Sequence, residues 1–551
     1  MDASTIGQIL AALFFFSILA VLMAGYIVAW TLGGLSIMFA VLGWYFGAFD
    51  LNLLAGLATR FFGVITNPVL IAVPLFIFMG VVLERSKIAE VLLTTMGQLF
   101  GGMRGGLGIS VVLVGMLLAA STGVVGATVV TMGLLSLPAM LRAGYDPKLA
   151  CGIICGAGTL GQNIPPSTVL IFTADILQGA NAAAQLALGN FAPDTVSVGD
   201  LFAGAFIPGM MLVVVYIMWV AFRALVDPSS APALVMTAEE KAGLARRVVV
   251  ALVPPLTLIG AVLGSIIAGV ATPTESASVG SLGAILLAVV KQIAEHRMRH
   301  LSPNELDKRL FWFWLAFLVV VLAIGFLFGA FGLLTMLILV ILAGLVPILL
   351  NADMRREFVD MLYGTSMSTT TITSMIFVIL LGATAFALVF TRVGGDTLVQ
   401  QFLAAMPGGQ TGAVMVVMAI MFVLGFFLDT FEIIFITVPI TAPIILMMGV
   451  DPILLGVLIG LVLQTSFLTP PFGFSLFYLK GVAPPSITTV IIYRGIVPFV
   501  VMQLIVLMLV WGLPQLATAL PNYLFRTQAV GTGAPPPAPF FNQDQPESDG
   551  G

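Results

Sequence analysis

Two stretches combine small, hydroxyl and amide residues with a proline pair inside otherwise apolar sequence. The first reads Gly158-Thr159-Leu160-Gly161-Gln162-Asn163-Ile164-Pro165-Pro166-Ser167. The second reads Gln464-Thr465-Ser466-Phe467-Leu468-Thr469-Pro470-Pro471-Phe472-Gly473. Proline removes a backbone donor and frees an upstream carbonyl. Glycine lets the chain unwind and lets a ligand approach. Freed carbonyls with hydroxyl or amide oxygens can form an oxygen cage for a hard cation such as Na⁺, and half-helix N-termini can face a carboxylate. On this reading Thr159, Gly161, Asn163, Thr465, Ser466 and Thr469 are candidate ion ligands. Gln162, Pro165, Ser167, Gln464, Pro470 and Gly473 are candidate substrate contacts. The alternative is a kinked helix whose Ser and Thr side chains bond to their own backbone.

Ionisable residues inside the apolar runs are few, and each is informative for that reason. Glu275, in Ala271-Thr272-Pro273-Thr274-Glu275, is the sole charge from Val248 to Val290. Asp429 and Glu432 are the only charges between Gln410 and Val450. Any of these acids can bind Na⁺ or take a proton; for Glu275 the alternative is an N-cap pair with Thr272 or Thr274. Cys151 and Cys155, the only cysteines, sit in an apolar stretch with neither a disulfide framework nor a zinc spacing. His296 and His300 lie in a charged loop and read as a solvated face.

The elements that hold these residues must be membrane helices. Of 551 residues 60% are hydrophobic and 8% charged, and mean hydropathy is +1.15. A soluble domain carries about 25% charged residues. Several apolar runs exceed the ~20 residues a helix needs to cross the hydrocarbon, and the ~10-residue alternation of a transmembrane barrel is absent. The composition therefore predicts an all-α integral membrane protein, a polytopic helical bundle. No polybasic block suggests nucleic acid, and no metalloprotease, nucleophile-elbow or diphosphate-binding motif lies in a span. Spans are expected near 8–29, 31–47, 52–83, 105–140, 149–178, 200–225, 248–270, 274–292, 311–328, 331–350, 358–391, 412–448, 453–479 and 488–512. Basic loops at Asp227 to Arg247, Lys291 to Arg309 and Asn351 to Glu357 are placed in the cytoplasm by the positive-inside rule, as are 84–104 and 142–148. The 36 residues of 105–140 are short for two full spans, so a re-entrant hairpin is expected there. Residues 527–551 lack the apolar content to bury a core and are expected to be disordered.

A repeat at an offset of 305 residues organises the chain. Pro138, Gly144, Asp146, Pro147 and Pro165-Pro166 align without a gap on Pro443, Gly449, Asp451, Pro452 and Pro470-Pro471. The first Gly-x-Asp-Pro turn is flanked by Arg142 and Lys148, whereas the second has no basic neighbour. With 358–391 crossing once and 412–448 forming a second hairpin, the two copies run antiparallel. Inverted repeats with broken helices are the architecture of secondary transporters. The expected division is a first repeat over 1–230, connecting helices over 231–357 with an apparent two-helix insertion at 293–352, a second repeat over 358–526, and the tail.

Gly269-Val270-Ala271-Thr272-Pro273-Thr274-Glu275, Gly158 to Ser167, and Leu463 to Phe474 together resemble the large membrane subunit of tripartite ATP-independent periplasmic (TRAP) transporters. The last stretch, with Phe426-Phe427-Leu428-Asp429, resembles the branch labelled for mannitol or chloroaromatic compounds. The resemblance implies an elevator-type, Na⁺-driven importer of organic acids in the bacterial inner membrane. It further implies a small four-helix membrane subunit and a periplasmic substrate-binding protein as partners, and no cofactor beyond Na⁺ as coupling ion. By position, Ser121, Thr122 and Gly123 form the inner hairpin tip and contribute to the ion sites. Asp429 and Thr430 lie near the outer tip as further ion ligands, with Glu432 toward substrate. The rival readings are a stand-alone Na⁺- or H⁺-coupled carboxylate carrier and a membrane-embedded enzyme.

Overall fold

The computed structural model describes residues 3–122, 125–234, 243–297 and 335–526, with six further positions between 309 and 316. The regular structure among them is helical, and nine of the helices are long and apolar enough to cross a membrane. The first third contains α1 (Ala3–Met23), α2 (Val28–Tyr45), α3 (Gly56–Ile65), α4 (Ala72–Arg85), α5 (Ile88–Gly101), α6 (Gly106–Thr122), α7 (Val125–Arg142), α8 (Pro147–Thr159) and α9 (Thr168–Ala187). The middle contains α10 (Val198–Val226), α11 (Leu244–Ile267), α12 (Pro273–Arg297), α13 (Thr335–Leu350) and α14 (Ala352–Arg392). The last part contains α15 (Gly395–Ala404), α16 (Gly409–Leu424), α17 (Thr430–Met447), α18 (Pro452–Leu468), α19 (Phe474–Val482), α20 (Thr489–Gly512) and α21 (Gln515–Pro521).

The aligned residues of the repeat build the same local structure twice. Gly144 and Gly449 take left-handed backbone, at φ 83° and 90°, where their helices α7 and α17 end. Asp146 and Asp451 then cap the next helices, accepting from Lys148 N at 3.1 Å and Ile453 N at 2.8 Å. Pro147 and Pro452 open α8 and α18, positions whose missing N–H costs the helix nothing. Both proline pairs contain a cis peptide bond. The helix leaving each break crosses to the other copy: α9 packs on α17, and α19 packs on α7. Close helix approach is built from small residues, as expected where lipid removes the hydrophobic drive between helices. A Cβ on Gly152 would collide with Gly495 O, and one on Gly495 with Lys148 O, so α8 and α20 touch backbone to backbone.

Several expected boundaries are corrected. The stretches 52–83, 149–178 and 453–479 are each two helices with a break, because proline and glycine interrupt the ladder at 66–71, 160–167 and 469–473. The expected loop at 84–104 contains helix α5. Asn351 to Glu357 is the capped start of α14, with Asn351 Oδ1 accepting from Asp353 N at 3.0 Å. At 41 residues α14 is ~60 Å long, about twice a hydrocarbon thickness. Lys291 to Arg297 continues α12, supported by the Lys291–Glu295 pair at 3.3 Å one turn apart. The tail 527–551, His300, residues 235–242 of the first basic loop and most of the expected span 311–328 lie outside the described residues.

Candidate functional site

The two broken helices meet through buried polar side chains. Thr159, Gln162, Asn163, Ser167, Gln464, Thr465 and Ser466 are each no more than 1% exposed. Asn163 Nδ2 donates to Gln464 Oε1 at 2.7 Å, joining the first proline motif to the second. Gln162 Nε2 donates to Thr430 Oγ1 at 2.9 Å, joining the first motif to the first residue of α17. Ser466 Oγ donates to Phe422 O at 2.6 Å, and a Cβ on Gly425 would strike that hydroxyl, so α18 lies against the end of α16. Glycine at 460 is required for the same closeness, since a Cβ there would overlap Asn163 Oδ1.

The hydroxyl protons in this cluster go to carbonyl oxygens. Thr159 donates to Gly156 O, Ser167 to Gln162 O, Thr465 to Leu461 O and Thr469 to Thr465 O, at 2.7–2.9 Å. Each hydroxyl oxygen therefore keeps lone-pair capacity while its proton is turned away. Gln162 Oε1, Asn163 Oδ1 and Gln464 Nε2 are buried without a hydrogen-bond partner, a condition that costs ~1–3 kcal/mol per group unless a ligand or water supplies one. Neutral oxygens of this kind are the donor type that suits a hard monovalent cation. The backbone-bonded kink foreseen as the alternative is present at Thr465 and Thr469. It does not account for the amides, whose partners come from the other motif or from α17.

The second break differs from the first in one respect. Leu160 through Phe172 is sealed, whereas Pro471 and Phe472 are exposed beside Phe427, with the rings of Phe427 and Phe472 5.4 Å apart. Gly161 and Pro165 lie in the sealed stretch, Pro470 is half-buried, and buried Gly473 sits where a Cβ would meet Phe467 O and Thr469 O. Asp429 and Glu432 are half-buried at the tip between α16 and α17, and Glu432 Oε2 accepts from Asp429 N at 2.9 Å in a capping box. Glu275 stands apart from the amide cluster. Its Oε2 accepts from Thr272 N at 2.8 Å and its own N donates to Thr272 Oγ1 at 3.3 Å, an exposed capping box at the start of α12. At the inner hairpin, α6 ends at Thr122 and α7 starts at Val125; Gly123 and the side chains of Ser121 and Thr122 lie outside the described residues.

Two residues of the buried network escaped the sequence reading. Gln503 Nε2 donates to Tyr216 Oη at 2.8 Å and reaches Thr159 Oγ1 at 3.4 Å. The available signal was weak: Gln503 is the lone amide of α20 and Tyr216 the lone tyrosine of α10. Both sit far in sequence from the proline motifs.

Comparison with known proteins matches the family described as the DctM component of tripartite ATP-independent periplasmic transporters over residues 15–336 and 305–516. A C4-dicarboxylate TRAP transporter large permease protein of Pseudomonas aeruginosa is 28% identical over 85% of this chain and 90% of its own length. One of Vibrio cholerae is 25% identical over 94% and 99%. The ectoine TRAP transporter large permease protein of Halomonas elongata is 24% identical over 83% and 87%. Among solved structures, the Alcanivorax borkumensis YdaH transporter aligns with a TM-score of 0.49 at 13% identity, covering 88% of this chain and 90% of its own. With a family match across nearly the whole described chain, this multi-pass membrane protein belongs to the DctM family of TRAP transporter large permease subunits, which are transporter components and not enzymes.

Proposed function

We propose that this chain moves an organic acid across the bacterial inner membrane, driven by Na⁺ and fed by a periplasmic binding protein. In this reading it works beside a small four-helix membrane subunit. The two copies of the repeat are inverted, and the broken-helix core moves as an elevator. The observation that carries the reading is the buried junction of Gln162, Asn163, Gln464 and Thr430, where amide atoms lack partners and the hydroxyl protons point away. Thr159, Gly161, Asn163, Thr465, Ser466, Thr469 and Thr430 supply oxygen for Na⁺, with Asp429 adding charge. The inner tip, Ser121 to Gly123, contributes by its position in the repeat. The exposed second break, with Pro470, Gly473 and Glu432 near it, faces substrate, and Gln162, Ser167, Pro165 and Gln464 form the floor behind it. Relatives named for C4-dicarboxylates and for ectoine support a small carboxylate as cargo. In this reading the binding protein sets which acid arrives.

The test is uptake of labelled organic acids into proteoliposomes holding this chain with the small subunit. Uptake requiring both an inward Na⁺ gradient and the binding protein is the expected result. Uptake with Na⁺ or H⁺ alone would replace the tripartite reading with a stand-alone carrier, and uptake indifferent to both gradients would overturn coupling.

A further inference from the structure

Thr159 and Gln464 are equivalent positions at the 305-residue offset, one in each proline motif. Two side chains that belong to neither motif lie between them. Gln503, on α20, uses one nitrogen for two hydrogen bonds, to Tyr216 Oη at 2.8 Å and to Thr159 Oγ1 at 3.4 Å. Tyr216, on α10, places the same hydroxyl beside the Gln464 amide. Asn163 Nδ2 donates to Gln464 Oε1 at 2.7 Å, which returns the path to the first motif. Thr159, Gln503 and Tyr216 thus form a buried hydrogen-bonded chain across α8, α20 and α10, and its Tyr216 end lies beside the Asn163–Gln464 pair. Tyr216 and Thr159 are fully buried, and Gln503 is 1% exposed.

A glutamine and a tyrosine hydroxyl in apolar helices are costly unless paired. Packing alone does not require them, because the Tyr216 ring already stacks edge-on against Phe499 at 5.0 Å, a contact that phenylalanine would keep. What the hydroxyl and the amide add is direction. Thr159 donates to Gly156 O, so it can only accept from Gln503, and that fixes the rotamer of its oxygen. Gln464 is likewise held from one side by Asn163 and flanked by Tyr216. The pair therefore orients the first position by a hydrogen bond and packs beside the second.

We propose that Tyr216 and Gln503 are positioning residues that set the Na⁺ affinity of the junction by fixing the Thr159 hydroxyl, an inference that rests on the Na⁺-coupled reading above. They do not touch the ion. Their removal leaves the oxygens in place but takes from Thr159 one of the two hydrogen bonds that orient it, so affinity falls while the maximal rate is kept.

The experiment measures uptake against Na⁺ concentration for the reconstituted complex with its small subunit and binding protein. It is accompanied by the Na⁺-dependent rise in melting temperature of the same complex in detergent. Tyr216→Phe and Gln503→Met keep volume and remove the hydrogen bonds. Each is expected to raise half-saturating Na⁺ at least fivefold, with maximal rate within twofold. The double variant is expected to behave like either single one, because the two act through one bridge. Phe14→Leu, which disturbs the Phe14, Phe39 and Phe386 cluster on α1, α2 and α14, is expected to lower the melting temperature without moving half-saturation. A wild-type protein that responds to Na⁺ while both variants stay within twofold of its half-saturation would overturn the positioning role alone. Absence of any Na⁺ response in the wild type would remove the coupled reading and this inference with it. Should a variant transport too slowly to titrate, the melting shift decides the matter: an unchanged Na⁺ response counts against the proposal.

Discussion

Asn163 and Gln464 owe their pairing to burial. Neither has water to turn to, and each has one atom matched by the other and one left over. Replacing Asn163 with alanine leaves Gln464 Oε1 without its donor, at ~1–3 kcal/mol, and deletes an oxygen from the proposed cage. We expect Asn163→Ala to insert in the membrane in near-normal amounts and to lose Na⁺-driven uptake by roughly ten- to a hundredfold, a range equal to about 1.4–2.8 kcal/mol. Normal uptake by this variant would remove the amide junction from the mechanism. The acids behave differently at the same scale. Glu275 spends its carboxylate on an exposed helix start, whereas Asp429 sits half-buried where α16 turns into α17. Glu275→Gln is therefore expected to keep uptake within twofold and to cost at most ~1 kcal/mol of stability. Asp429→Asn is expected to weaken Na⁺ dependence strongly. Reversal of that order in parallel uptake assays would return Glu275 to the site.

Among the helices, the decisive contact is the approach of α8 to α20. Gly152, Gly156 and Gly495 allow it, and Phe499 fills the space beside Gly156. Because α20 carries Gln503 and α8 carries Thr159, spacing between these two helices sets whether their hydrogen bond forms. Gly495→Val would push Lys148 O away and separate the pair. A fall of several degrees in melting temperature and a loss of uptake are expected together, read by thermal unfolding and transport on the same preparation. Retention of both would mean that the backbones have room the packing does not suggest.

For the molecule as a whole, the proposed antiparallel relation of the repeats has a direct consequence. The turns after α7 and α17 are built alike, but only the first carries basic neighbours, Arg142 and Lys148. If the copies are inverted, these turns face opposite sides of the membrane. Arg142→Cys and Met448→Cys, each in a background with Cys151 and Cys155 replaced by alanine, are expected to react with a membrane-impermeant thiol reagent from opposite sides. The background is a mild change, since both native thiols are buried and free. Labelling from one side for both turns would exclude the inverted arrangement.

The sequence by itself determined the class of the protein, its repeat and the proline motifs, because each rests on local or additive properties. Hydropathy sums along a helix, and Gly144, Asp146 and Pro147 act through backbone rules within a few residues of themselves. The capping role of Glu275 was also open to view in Thr272-x-x-Glu275. Element boundaries inside long apolar runs were less legible, since proline also lies within unbroken helices, as Pro208 does in α10 and Pro439 and Pro443 do in α17. Only the tertiary structure decided that Asn163 meets Gln464, that Gln162 reaches Thr430, and that Gln503 joins Tyr216 to Thr159. Those pairings join residues up to 344 positions apart. Their partners are selected by helix packing and by the need to satisfy polar atoms where no water competes, and neither leaves a pattern in the chain.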